Sequence, residues 1–207
     1  MTNLSFRAGV GYNRRRRSMP CYRKAKPMTD AATDATAAEL PTSPETLLAH
    51  MDGLGVGYVR HDHPPLFTVD DSKALRGDLP GGHCKNLFLR DRKGAMWLVV
   101  CLEDRQIDLK ALGELLGGVR LSFGSADRLM RVLGVLPGAV SPFALINDTE
   151  AAVEVILDKA MLEHRPLNYH PLVNTTTIAV SPEDLVRFLE AGGHTPRVLD
   201  LDPASGA

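Results

Sequence analysis

Two apolar runs separated by four turn-forming residues constrain this chain more than any other stretch. Leu87–Leu89 ends the segment GGHCKNLFL (81–89), and Trp97–Leu102 reads WLVVCL after Asp91-Arg92-Lys93-Gly94. Runs of this length without polar interruption suit strands buried on both faces, and the intervening turn predicts a β-hairpin inside a core. Lys85 and Asn86 enter the hairpin directly behind Gly81-Gly82. A long cation and an amide at a strand end, beside flexible backbone, mark the first place to seek a site.

The remaining elements alternate around this hairpin. Ser43-Pro44-Glu45 opens a helix carrying Leu47, Leu48, Met51 and Leu54 at helical spacing, ended by Gly53 and Gly55. Val56–Arg60 reads as a strand, His61–Pro65 as loop, and Asp70–Leu75 as a short helix. Asp108 caps a helix through Leu116, and Val119–Ser122 reads as a strand. Ser125 caps a helix that stops at Gly134. Ala144–Ile146, Ala152–Leu157 and Asn174–Val180 read as strands, and Ser181-Pro182-Glu183 opens a last helix to Leu189. These elements predict an α/β (mixed α+β) single domain, a curved, barrel-like mixed sheet with helices packed outside.

At 207 residues and 44% hydrophobic content the chain supports one sizeable core. The expected domain is 42–202, preceded by a basic, flexible lead-in (1–41) and followed by a tail (203–207). Residues 1–27 hold eight basic side chains and no acid, so the remaining 16 basic and 25 acidic residues leave the body at −9. An acidic body argues against broad adhesion to DNA or RNA, which works by phosphate neutralisation, and any RNA contact is expected to be local. The arginine run is read as a solvated leader or mis-assigned start rather than a nucleic-acid arm, and no apolar stretch follows it to make a secretory signal. No apolar run approaches the ~20 residues of a membrane span. Cys21, Cys84 and Cys101 are odd in number and form no C-x-x-C pair, which suits a reducing compartment and indicates neither a disulfide framework nor zinc.

Three segments carry polar groups their apolar surroundings do not explain: His83–Asn86, the loop Gly134–Pro142 (GVLPGAVSP), and Asn168-Tyr169-His170-Pro171 with Asn174. Together with HPPLFT (63–68), the motifs KNLFL (85–89), LSFGSADRLMRVLGVLPGAVSPFAL (121–145) and YHPLVNTTTIAVSPEDLVRFL (169–189) resemble the YbaK/prolyl-tRNA synthetase-associated domain family, most of all its free-standing ProX/PrdX (ProXp-ala) branch. The resemblance spans about residues 43–201. It implies a cytoplasmic trans-editing deacylase that hydrolyses alanine mischarged onto proline tRNA, with no cofactor and no metal. The implied partners are the acceptor end of that tRNA and, secondarily, prolyl-tRNA synthetase, with neither DNA nor membrane. Two alternatives stay open: a Cys-tRNA(Pro) deacylase of the same family, and a module that binds tRNA or synthetase without turnover.

On the matched motifs, Lys85 stands where the family has its functional lysine, either holding a phosphate or ribose oxygen of the CCA end or polarising the ester carbonyl. Gly134 and Pro137 match the G-x-x-P loop. Gly138, Ala139 and Val140 add peptide N–H groups suited to an oxyanion or phosphate, while Pro137 and Pro142 stiffen the ends. His170, in Y-H-P, either orients water or the ester or is a satisfied structural histidine. Ser141 and Asn174 are candidate partners of the substrate amine. Asn86 either contacts substrate or ties the strand end to a loop. Strand alternation turns Cys84 away from Lys85, so a cysteine nucleophile is not expected, and His61, His63 and His83 are read as loop histidines without metal-ligand spacing.

Overall fold

The computed structural model describes residues 40–65 and 79–202, all within one compact unit that spans residues 35–207. The leader, the helix expected at Asp70–Leu75, the tail and the end of HPPLFT lie outside the described residues.

The central hairpin forms as expected. Strands β2 (Gly82–Arg90) and β3 (Met96–Leu102) pair antiparallel, Cys84 with Leu102 through Arg90 with Met96. Asp91 closes the turn. Its Oδ1 accepts from the amides of Lys93, Gly94 and Ala95 at 2.8, 2.7 and 2.9 Å, so one buried carboxylate satisfies three donors that the turn would otherwise strand.

Four helices among the described residues follow their caps. Ser43 caps α1 (Pro44–Gly53), Asp108 caps α2 (Leu109–Leu115), Ser125 caps α3 (Ala126–Leu133) and Ser181 caps α4 (Pro182–Ala191), each side-chain oxygen accepting a first-turn amide. Such a cap is worth ~1 kcal/mol.

Eight strands among the described residues make one mixed sheet. Besides β2 and β3 these are β1 (Tyr58–Asp62), β4 (Ser122–Phe123), β5 (Val153–Asp158), β6 (Leu167–Tyr169), β7 (Thr176–Val180) and β8 (Arg197–Leu199), in the order β1-β7-β6-β2-β3-β5-β8. β4 pairs the far end of β2. β2–β6, β3–β5 and β5–β8 are parallel and the other pairs antiparallel. One edge of β2 belongs to β3. The opposite edge is shared, with β6 at Gly82–His83 and β4 at Leu89–Arg90. Between them, Cys84–Leu87 face no strand among the described residues, and the sheet opens there.

Both faces of β2, β3 and β5 are covered, which is why WLVVCL carries no polar residue. Phe88, Leu98, Val100, Val155 and Leu157 face the main core with α1, α3 and α4, whereas Leu89, Trp97, Val99, Cys101 and Ile156 face a smaller cluster under Leu112 of α2. In the main core Phe143 is fully buried, with the rings of Phe188 at 4.9 Å and Tyr169 at 5.7 Å meeting it edge-on. Such pairs add ~0.5–1.5 kcal/mol each beyond area burial.

Several local expectations shift. Ala144–Ile146, expected as strand, lies in a 3-10 helix, Pro142–Asn147, because Pro142 sits at its first turn and the Ser141 hydroxyl accepts from the Phe143 amide at 3.3 Å. Helix-start chemistry decides an apolar run too short for its periodicity to decide. β1 starts at Tyr58 rather than Val56, since the Val56 amide still closes the helix end by donating to Met51 O at 3.0 Å. His61 is thus a strand residue rather than a loop one. The strand expected at Val119–Ser122 reduces to Ser122–Phe123, and three-residue β6 and β8 were not anticipated.

Candidate active site

Beside the opening in β2, Asn86 and the loop 134–142 come together. Asn86 projects toward the main-core face, and its Nδ2 donates to the carbonyl of Val140 at 2.8 Å, stitching the loop 134–142 to the strand. Its Oδ1 is buried and has no hydrogen-bond partner among the described residues. A buried amide that satisfies only one end is costly unless something else completes it, which makes Asn86 a candidate substrate contact as well as a tie.

The loop is anchored at both ends and bare at its tip. Gly134 ends α3 in the left-handed conformation, φ 62° and ψ 28°, its amide donating to Met130 O. A Cβ there would come within 2.3 Å of Pro41 Cγ and 2.7 Å of Asn147 Nδ2, and that amide donates to Leu133 O at 2.9 Å. At the other end Ser141 and Pro142 are buried and Phe143 locks into the core. Leu136, Pro137 and Gly138 are exposed. The Ala139 amide donates to Leu136 O at 3.1 Å, so this expected oxyanion donor is engaged within the turn. Gly138 has φ 93° and open space where a Cβ would stand.

Lys85 goes the other way. It pairs with Cys101 and shares the smaller-cluster face, while Asn86 pairs with Val100 on the main-core face. Successive strand residues point to opposite faces, so the two flank the opening rather than converge. The Lys85 ammonium donates to the carbonyl of Arg105. Arg105 Nε in turn meets Asp158 Oδ2 at 2.6 Å, with Asp158 fully buried and its Oδ1 unpartnered among the described residues. Burial pushes the Cys101 thiol up to about 11, opposed by the nearby Lys85 and Arg105 charges and reinforced by that of Asp158.

His170 follows β6. Its Nδ1 lies 2.9 Å from Thr176 O, and a carbonyl only accepts, so Nδ1 carries the proton and the neutral ring keeps a lone pair on Nε2. Burial holds its pKa below the ordinary value of 6.5, with a neighbouring His63 acting in the same direction. The His63 ring stands 6.0 Å away, its Nδ1 on Pro64 O at 2.8 Å and its Nε2 on the Thr177 hydroxyl at 3.0 Å. Asn174 is half-buried in the turn before β7. Asn168 Nδ2 reaches Pro80 O at 3.1 Å and Gly82 O at 3.3 Å, tying β6 to the strand entrance.

Cys84 lies on the face opposite Lys85, and burial pushes its thiol up to about 12. It carries essentially no thiolate at neutral pH. Among the described residues no group of three or more His, Cys, Asp or Glu side chains is placed to hold a metal ion. Sequence reasoning set His63 aside as a loop histidine, and the structure places its ring beside that of His170. Sequence reasoning missed Arg105 and Asp158, which no spacing singles out.

A family model for the aminoacyl-tRNA editing domain matches residues 63–188. The prolyl-tRNA editing protein ProX of Acetoanaerobium sticklandii is 38% identical over 158 residues, 76% of this chain and 96% of that protein. The prolyl-tRNA synthetase associated domain-containing protein 1 of Mus musculus is 39% identical over 146 residues, 68% of this chain and 86% of that protein. A crystal structure described as a candidate trans-editing enzyme for prolyl tRNA synthetase shares the fold, with TM-score 0.62 and 19% identity over 77% of this chain and 96% of that one. With the motifs of β2, the 134–142 loop and β6–β7 inside the matched region, the chain belongs to the aminoacyl-tRNA editing domain family and is an aminoacyl-tRNA editing enzyme.

Proposed function

We propose that this chain hydrolyses alanine from mischarged proline tRNA in trans, in the cytoplasm, with water as nucleophile. The observation that carries the reading from family to chemistry is the Asn86–Val140 bond, which sets the G-x-x-P loop against the opening in β2. The likeness to ProX along nearly its whole length supports proline tRNA as the carrier.

In this reading the 3′ adenosine enters beside Asn86, whose unpartnered Oδ1 accepts from a substrate donor such as the ammonium of alanine or a ribose hydroxyl. The exposed tip Leu136–Gly138 lies over the aminoacyl group. Gly138 brings backbone close to the ester without a side chain in the way, and Ser141 and Pro142 hold the loop for it. His170 offers Nε2 to the attacking water, and Asn174 borders the same turn. Lys85, on the far face of β2, suits a phosphate or ribose anchor for the CCA end better than direct polarisation of the ester carbonyl, because a compact ammonium binds phosphate from any direction.

Selection works by exclusion. Leu136, Pro137 and Val140 shape a space for a methyl side chain, and the prolyl ring is shut out. A synthetase pocket gains only ~1–3 kcal/mol per methylene in choosing proline over alanine, so a second hydrolytic sieve supplies the remaining fidelity. A transient contact with prolyl-tRNA synthetase would deliver the substrate.

The test is deacylation of Ala-, Cys- and Pro-tRNA(Pro) by the purified chain, beside Lys85→Ala and Asn86→Ala. Release of alanine that both variants impair, with Pro-tRNA(Pro) intact, is the expected result. Faster release of cysteine would reassign the substrate, and bound but unhydrolysed Ala-tRNA(Pro) would make the chain a binding module.

A further inference from the structure

A fully buried carboxylate at the end of β5 has no evident reason to be there. Asp158 sits beyond Leu157, the partner of Val100, so it falls level with Cys101 and hence with Lys85 across three strands. Its one partner among the described residues is Arg105 Nε at 2.6 Å, and its second oxygen is unsatisfied. Buried ion pairs are weak sources of stability, because desolvation offsets the attraction and apolar residues of similar size do as well. Stability therefore leaves this pair unexplained.

Its geometric effect is specific. Arg105 lies just past β3, and its amide donates to Leu102 O at 3.2 Å. The guanidinium is drawn inward by Asp158, so Arg105 is held by both its backbone amide and its side chain. The carbonyl of that same residue accepts from Lys85 Nζ. Asp158, Arg105 and Lys85 thus form one chain of contacts, and the thiol of Cys101 feels all three charges.

We propose that Asp158 and Arg105 are positioning residues that aim the Lys85 ammonium at a phosphate of the tRNA acceptor end, through the backbone carbonyl of Arg105. This rests on the reading of Lys85 as a phosphate anchor. A free lysine side chain samples many rotamers, and losing them on binding costs up to ~2 kcal/mol. A carbonyl that restrains the ammonium beforehand removes part of that cost.

The test measures kcat/KM for Ala-tRNA(Pro) deacylation across a salt series, together with Tm. The full-length chains compared are the native one, Lys85→Ala, Asp158→Asn, the double variant Lys85→Ala/Asp158→Asn, and the pair replacement Arg105→Met/Asp158→Leu. Loss of one single-strand phosphate contact lowers the slope of log(kcat/KM) against log[salt] by about 0.7. Lys85→Ala is expected to show that drop. Asp158→Asn is expected to show a similar drop and a loss of ~10-fold or more, as mispositioned groups do. The double variant should be no worse than Lys85→Ala alone. The pair replacement should keep Tm yet flatten the salt slope, and it carries the test if Asp158→Asn folds poorly. Multiplying losses in the double variant, or a native salt slope in the pair replacement, would overturn the positioning role. A Lys85→Ala chain with native activity and slope would instead bring down the phosphate-anchor reading, and the positioning role with it.

Discussion

Gly134 and Gly138 both have positive φ, but only one of them is packed, and this difference makes a quantitative prediction. At Gly134→Ala the left-handed backbone costs ~1 kcal/mol for any L side chain. The new methyl would also stand 2.3 Å from Pro41 Cγ and 2.7 Å from Asn147 Nδ2, contacts that something must relieve by moving. Overpacking of this kind typically costs ~1–3 kcal/mol. Displacing Asn147 breaks its 2.9 Å bond to Leu133 O, a further loss of ~1 kcal/mol. The sum is ~3–5 kcal/mol, equivalent to a Tm drop of roughly 6–20 °C at 2–4 °C per kcal/mol for a chain of this size. At Gly138→Ala only the backbone term applies, since nothing lies within 4 Å of the added methyl. That cost of ~1 kcal/mol is largely offset by ~0.4–1 kcal/mol from a stiffer unfolded chain, so Tm should fall by at most a few degrees. Thermal melts followed by circular dichroism measure both. At 20 °C, with both variants folded, Gly138→Ala should lose the larger share of deacylation, because its methyl enters the space proposed for substrate. Equal Tm shifts would refute the packing argument, and full activity in Gly138→Ala would remove the loop tip from the site.

Two further outcomes follow from burial. With its thiol raised to about 12, Cys84 should resist iodoacetamide at pH 8 in the folded chain, and Cys84→Ser should deacylate like the native protein; rapid alkylation mapped to Cys84 would contradict this. His170 has its pKa lowered in the fold, so the unfolded chain binds the extra proton first, at about 6.5. Stability from the neutral ring is complete above pH 6.5 and is lost as pH falls toward the folded value, so Tm should decline more steeply below pH 6.5 in the native chain than in His170→Gln. Parallel declines would show that His170 does not contribute.

The local features were legible in the residues themselves. Ser43, Asp108, Ser125 and Ser181 announce their helices because a cap needs only an oxygen within a few residues of the first amides. The hairpin was legible because Asp91-Arg92-Lys93-Gly94 and the two apolar runs are contiguous. Strand alternation correctly set Cys84 apart from Lys85. The same alternation sets Asn86 on the opposite face from Lys85.

What remained hidden depends on distance along the chain. Three-residue β6 and β8 have no period of their own and exist because β2, β7 and β5 offer them edges. The union of Asn86 with Val140 spans 54 positions and that of Arg105 with Asp158 spans 53, and neither leaves a mark on local pattern. The sequence by itself determined the helix caps, the central hairpin and the family they build. Only the tertiary structure decided which side of β2 each polar group serves, because that choice belongs to the two cores packed against the strand and not to the strand.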